Sequence, residues 1–274
     1  MPISDSDVRY WNSPAPNEAR CRALRDPVIV LPLAATEQHG PHLPLSTDVD
    51  IGLGILNETF LRLDRSIPAW TLPIETVGAS LEHVRYDGIT SVTPNELVQT
   101  IFNHGERLST LGIRRLVISN SHGGNSAPIE SAALRLREEC ELLVVKANYY
   151  RFERPVDIDL PEIEWRHGLH GGAVETAMML HLRQESVRTD AINTFPSIAE
   201  ELETRGSRIL PTGPAAFAWL AGDLNPLGVV GDATLASEEL GRKLIAHYAA
   251  ILADIIKDAY HFPIERLNQR DRSK

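Results

Sequence analysis

Apolar and polar residues alternate in blocks along this chain. Four short apolar runs, "VIVLPLA" (28–34), "WTLPIETV" (70–77), "RRLVISN" (114–120) and "ELLVVKANYY" (141–150), read as buried strands. Longer stretches with helical spacing lie between them. In "TPNELVQTIFNHGERLSTLG", Thr93 is placed to cap a helix, Pro94 suits its first turn, Glu96 completes a capping box and Gly112 ends it. Leu97, Ile101 and Leu108 then mark its buried face. A longer helix is predicted over about 233–259, with Leu240, Leu244, Tyr248, Ile251 and Ile255 on its apolar side. Strands alternating with helices predict an α/β domain on a largely parallel sheet.

No repeat, low-complexity segment or linker interrupts the pattern, so residues 1–274 read as a single domain. Residues 184–230 are the irregular part. Their "LPTGPAAFAWLAGDLNPLG" mixes prolines and glycines with Phe217, Trp219 and Leu220, which predicts long loops that cover a site or meet a neighbouring subunit. The tail "ERLNQRDRSK" reads as a solvated end.

Composition narrows the class. With 43% apolar and 23% charged residues in 274, this is an ordinary soluble globular chain with enough length for a sizeable core. A formal net charge of −10 weighs against nucleic acid or an anionic membrane as partner, since polyphosphate binding needs a basic patch. The start "MPISDSDVRYW" lacks the basic and apolar regions of a signal peptide, and no apolar run approaches a membrane span, so the cytoplasm is the expected compartment. Cys21 and Cys140 supply neither a disulfide framework nor a thiolate zinc site.

Ligands in open α/β sheets bind beyond the carboxyl ends of the strands. Ionisable residues collect there. Glu37, His39 and Asp48 follow the first predicted strand, "SNSHGGNSAP" with His122 follows the third, and "RHGLHGGAVETAMML" with His167, His170 and Glu175 follows the fourth. His nitrogens and carboxylate oxygens together suit zinc, manganese or iron(II), and a shared carboxylate commonly bridges two ions. Glu37 and His39, two apart in extended backbone, point the same way and fit one each to two neighbouring ions. Each fragment alone has a plainer reading: a turn, a satisfied core histidine, or, for "HGGN" before a helix, an anion cradle. Three clusters converging on one sheet edge favour metal.

The runs "EQHGPHLPLSTDVDIG", "NSHGGN" and "HGGAVETAMML", with "SLEHVRYDGITSVTP" and "GVVGDATLASEELG", resemble the creatininase (creatinine amidohydrolase) family, over roughly residues 28–245. That resemblance implies a three-layer α/β/α sandwich and a site with two divalent metal ions (Zn, Mn or Fe). It implies Glu37, His39, Asp48 and His122 as ligands, with Asp48 bridging the two ions. Creatinine-hydrolysing members carry a further carboxylate two residues after the histidine; here that residue is Gly124, so Glu175 is expected as the fifth ligand. The implied reaction is cleavage of a C–N amide bond by a metal-bound hydroxide, with His170 as proton shuttle to the leaving nitrogen or as a hydrogen-bonding group beside the substrate. His83 is expected on the pocket wall or as a structural cap.

Where creatininase proper has a Trp-Asp pair before its substrate histidine, this chain has Arg166 and His167. An arginine suits a carboxylate or phosphate better than a cationic ring, so the expected substrate is another small amide, lactam or formamide rather than creatinine. The family also includes enzymes acting on formamidopyrimidine-type compounds and a peptidase of cofactor maturation. Competing readings are a catalytically inactive metal scaffold and a phosphate binder built on the "HGGN" loop. A homo-oligomer, as in hexameric relatives, is the expected assembly.

Overall fold

The structure, a computed structural model, describes residues 8–11 and 16–267. Most of the N-terminal stretch read for a targeting signal, and residues 268–274 of the polar tail, lie outside the described residues. After helix α1 (Pro16–Ala23), four strands form one parallel sheet: β1 (Val28–Leu33), β2 (Ala69–Thr71), β3 (Arg115–Asn120) and β4 (Leu143–Asn148), in the order β2-β1-β3-β4. Helices α2 (Thr47–Arg62), α3 (Pro94–Thr110) and α4 (Ser126–Cys140) connect them. Then follow α5 (Glu162–His167), α6 (Ala173–Leu182), a two-stranded antiparallel pair β5 (Thr194–Phe195) with β6 (Gly231–Asp232), α7 (Ile198–Thr204), α8 (Ala221–Leu224) and α9 (Glu238–His261).

Each face of the sheet has its own core. On one face Ile29, Leu31, Leu33, Leu116 and Ile118 pack with Leu97 and Ile101 of α3 and Ile129 and Leu136 of α4. On the other, Val28, Val30, Val117 and Ala147 pack with α2, α6 and α9. The alternation along β1 explains why its sequence is apolar without a break: a parallel strand covered on both sides exposes no face to water. This is the expected three-layer sandwich. Among the described residues, no helix is long and apolar enough to cross a membrane.

Helix α3 begins as its sequence predicts, with the Thr93 backbone amide donating to Glu96 Oε2 at 2.7 Å and the Glu96 amide donating to Thr93 Oγ1 at 3.3 Å. Two expectations need correcting. The strand predicted over 70–77 is only β2, three residues long, and pairing with β1 resumes only as an isolated bridge from Leu33 to Glu75. Prolines are the reason: Pro32 and Pro73 have no N–H to give, and Pro32 merely accepts, from the Glu75 amide at 3.0 Å. Helix α9 is rotated from its predicted face. Gly241, Leu244, Ile245, Tyr248, Leu252 and Ile256 are buried while Ile251 and Ile255 sit at the margin, because α9 lies against both α2 and α6.

The closest approach on that face is at Gly241, where an added Cβ would overlap the carbonyl oxygen of Ala177 in α6. Backbone cannot yield as a side-chain tip does. Gly241→Ala is therefore expected to destabilise the fold by about 3 kcal/mol, the upper part of the range for overpacking, read as a lower denaturant midpoint with an unchanged m-value.

Strand order places the chemistry. The chain runs from β1 outward to β2 and then back across to β3, so the crevice between the carboxyl ends of β1 and β3 is the topological switch point of the sheet.

Candidate metal centre

The loop after β1 supplies the first residues. Its ends are tied by the Glu37 amide donating to Leu45 O at 3.1 Å, which turns Glu37 and His39 inward. His39 Nδ1–H donates to Glu37 O at 3.1 Å, leaving Nε2 free to face Asp48 Oδ1 at 3.2 Å and Glu175 Oε2 at 3.9 Å. Asp48 and Glu175 stand in the first turns of α2 and α6, where helix dipoles favour carboxylates. His122, two residues past β3, presents Nδ1 at 3.1 Å from Glu37 Oε1 and 3.2 Å from Asp48 Oδ2, while its Nε2–H donates to Ala79 O at 3.1 Å.

Asp48 thus faces both ways. One oxygen belongs with His39 and Glu175; the other faces His122 Nδ1, which in turn meets Glu37. Glu37, His39, Asp48 and His122 are all at most 3% exposed. Both Glu37 oxygens and Asp48 Oδ2 are buried and, with the neighbouring imidazoles neutral as metal ligands must be, have no hydrogen-bond donor. Leaving carboxylate oxygens unsatisfied in a dry interior costs several kcal/mol each, and a divalent cation is the group whose chemistry meets that need. The residues present fit divalent metal.

The protein's own protons mark the same places. Burial alone would keep His39 neutral, but the Asp48 carboxylate beside it raises its pKa to about 9. Burial likewise opposes the charged form of His122, and the Glu37 carboxylate outweighs it, holding the imidazole well above its usual range. Metal uptake must displace these protons. Apparent metal affinity is therefore expected to fall as pH drops below about 9, by about tenfold per unit for each proton displaced, in chelator competition over a pH series from about 6 to 9.

His170 sits over the centre. Its ring lies tilted against His39 (centroids 4.1 Å apart, interplanar 34°) and His83 (4.5 Å, 37°), and its Nδ1 is 3.8 Å from Glu37 Oε1. Nε2–H donates to Gln38 O at 2.8 Å, which leaves the lone pair on Nδ1. Burial, with His39 close by, lowers its pKa and keeps the ring neutral. His83 is placed on the cavity wall, its Nδ1 accepting from Gln38 Nε2 at 2.9 Å, and burial next to His170 pushes its pKa down to about 3.

A cavity of about 780 Å³ opens above these residues, with Tyr150, Trp165, Leu169 and Trp219 in its walls. Trp219 and its neighbours Thr212 and Ala218 bring the 184–230 segment over the site, one of the two roles expected of it. A smaller cavity of about 420 Å³, between Arg9, Arg25 and Phe60, holds none of the site residues.

Arg166 and His167 depart from their expected place at the substrate. Arg166 pairs with Glu203 and Glu162, and His167 Nε2 meets Glu203 Oε2 at 2.8 Å; neither lines the cavity. The chain is helical there, so each residue turns about 100° from the last, and Trp165 faces inward instead. His42, in the same loop as Glu37, is a buttress: its Nε2 bonds Gly171 O at 3.0 Å under the start of α6.

Sequence reasoning missed Glu82, which joins Glu37 and His122 with one potential ligand atom from each within 4.8 Å of the others. It missed Tyr149 too, whose hydroxyl donates to Glu175 Oε1 at 3.2 Å. The available signal for Glu82 was its position beside His83 in "SLEHVRYDG".

A family model described as Creatininase, creatinine amidohydrolase, matches residues 15–256. The chain belongs to the creatininase family. It is 34% identical over 229 residues to the mycofactocin precursor peptide peptidase of Mycobacterium ulcerans (strain Agy99), covering 80% of each chain. It is 29% identical over 260 residues to the creatinine amidohydrolase of Pseudomonas putida, covering 89% of this chain and 93% of that one. A crystal structure of creatinine amidohydrolase (creatininase) superposes with a TM-score of 0.74 at 25% identity, over 94% of this chain and 99% of that chain. Creatininase-family relatives are hydrolases, a peptidase and an amidohydrolase among them, and solved creatininases include Mn and Zn-Zn forms.

Proposed function

We propose that this creatininase-family hydrolase uses two divalent metal ions to cut an amide C–N bond in a peptide segment. The observation that carries the reading is Asp48, buried with one oxygen toward each of two ligand groups. When bound, divalent ions supply a Lewis acid for a carbonyl and lower the pKa of water.

The chain's own residues do the rest. Asp48 holds the two groups at one spacing, and Tyr149 keeps Glu175 turned toward His39. His170 has its Nε2 proton committed to Gln38 O, so Nδ1 is the atom that takes a proton and returns it to the leaving nitrogen. Tilted ring contacts with His39 and His83, with the Nε2–H bond to Gln38 O, hold the ring in that orientation.

The lining supports a peptide, and the cavity of about 780 Å³, within the ~300–1,000 Å³ range of small-molecule sites, has room for a short peptide segment. Its tyrosine and tryptophan walls suit side chains flanking a scissile amide. The 34% identical relative is a precursor peptide peptidase. The rival substrate is a small amide, lactam or formamide, favoured by the 29% identity to a creatinine amidohydrolase.

The test is metal analysis of the purified chain joined to a hydrolysis panel of short peptides, formamides, lactams and creatinine, with and without chelator. Chelator-sensitive cleavage of a peptide amide is the expected result. Turnover of small amides alone would overturn the peptide substrate, and absence of metal after reconstitution would overturn the whole reading.

A further inference from the structure

The metal centre as assembled from the expected ligands has a shortfall in charge. Glu37, Asp48 and Glu175 carry three negative charges against the four positive charges of two divalent ions, and the histidines that join them are neutral as ligands. A fourth carboxylate stands close by. Glu82, in the short turn Leu81–His83 after β2, has its side chain 19% exposed in the cavity wall and Oε1 at 3.6 Å from His122 Nε2. No hydrogen bond from another side chain ties that carboxylate down among the described residues.

Its room is made by a glycine. An added Cβ at Gly124 would come within 2.5 Å of Glu82 Oε1 and of His122 Nε2, and would overlap Ala79 O. Any side chain at 124 and the present position of Glu82 exclude each other.

The same motif pins the loop that delivers Glu82. Asn125, fully buried, accepts from the Ala79 amide at 2.9 Å and donates to Ala34 O and Asn120 Oδ1, both at 3.1 Å. A backbone bond from Val92 N to Gly78 O at 3.0 Å closes the other side. The "HGGN" run therefore has a use other than cradling an anion. Its His faces the centre, its second glycine vacates space, and its Asn clamps the neighbouring loop.

We propose that Glu82 is a metal-centre carboxylate, reaching the Glu37–His122 subsite through the space left by Gly124 and completing the set of four carboxylates. The assignment rests on the two-metal reading above. It differs from a role in which Glu82 only orients His122 by accepting a hydrogen bond at Nε2, because glutamine keeps that acceptor and loses the charge.

The experiment compares the full-length wild type with Glu82→Gln and Glu82→Asp. Each is stripped with chelator, reloaded with Zn²⁺ or Mn²⁺, desalted, and analysed for metal per chain, with circular dichroism of the apo forms as a check on folding. The expected result is about two ions for the wild type, about one for Glu82→Gln or at least a tenfold weaker second ion, and partial recovery in Glu82→Asp. Glu82→Gln holding two ions within threefold of wild-type affinity would overturn the assignment while leaving the metal centre intact. A wild type that never holds two ions would overturn the two-metal reading itself.

Discussion

Asp48→Ala is expected to empty the centre of both ions and to lower kcat/KM by roughly a thousandfold or more. Each ion contributes several kcal/mol of transition-state stabilisation, and about 1.4 kcal/mol is a factor of ten. Geometry is why one residue carries both losses. Asp48 Oδ1 is 3.2 Å from His39 Nε2 and Oδ2 is 3.2 Å from His122 Nδ1, so one carboxylate serves two ligand groups drawn from four segments of chain. Glu175→Gln, by contrast, touches the His39 group alone and is expected to release one ion. Plasma emission analysis of the two variants after equal reloading checks both statements. An Asp48→Ala protein with full metal content would mean that the buried cluster is not the metal centre.

The second large effect belongs to His170. His170→Ala is expected to lower kcat by about 10²–10⁴-fold, the range for losing a positioned acid-base group, while metal content stays at the wild-type level. Its Nδ1, the nitrogen left with the lone pair, is 3.8 Å from Glu37 Oε1, and its ring lies tilted against His39 without bonding Asp48. Partial rescue by added imidazole would place the loss in proton transfer, since a merely structural role is not restored by a soluble base. Loss of an ion in His170→Ala would instead make it a ligand, beside Glu37 and His39 with which it shares a possible ligand cluster.

The parts of the fold that were legible in the sequence are those governed by local chemistry. Thr93 and Glu96 form their reciprocal caps because three residues separate them in any helix start. The unbroken apolar run of β1 announces burial on both sides of a parallel sheet, as its split between two cores confirms. The misreadings come from partners far away in the chain. Strand β2 stops at Thr71 because Pro32, on the adjacent strand, has no N–H to continue the ladder. The buried face of α9 is chosen by α6 and α2 together, which shifts it off Ile251 and Ile255.

The candidate site divides in the same way. Glu37, His39, Asp48, His122 and Glu175 were selected by residue type and position after strands, and the structure brings all of them together. Counting back from His170 placed Arg166 and His167 at the substrate, but that count ignores the turn of α5, which aims both at Glu203. Glu82 was passed over because its place beside His122 depends on a contact between segments about 40 residues apart.

By itself, the sequence determined the class of fold, the types of ligand atom and the helix and strand ends that carry them, since strand burial, capping and side-chain donor chemistry are local properties. Tertiary structure alone decided that β1 and β3 lie side by side, that Asp48 faces two ligand groups at once, and that Glu82 fills the space of Gly124. Those are statements about through-space distance. Chain order leaves such distances open until the two cores pack and bring the loops together.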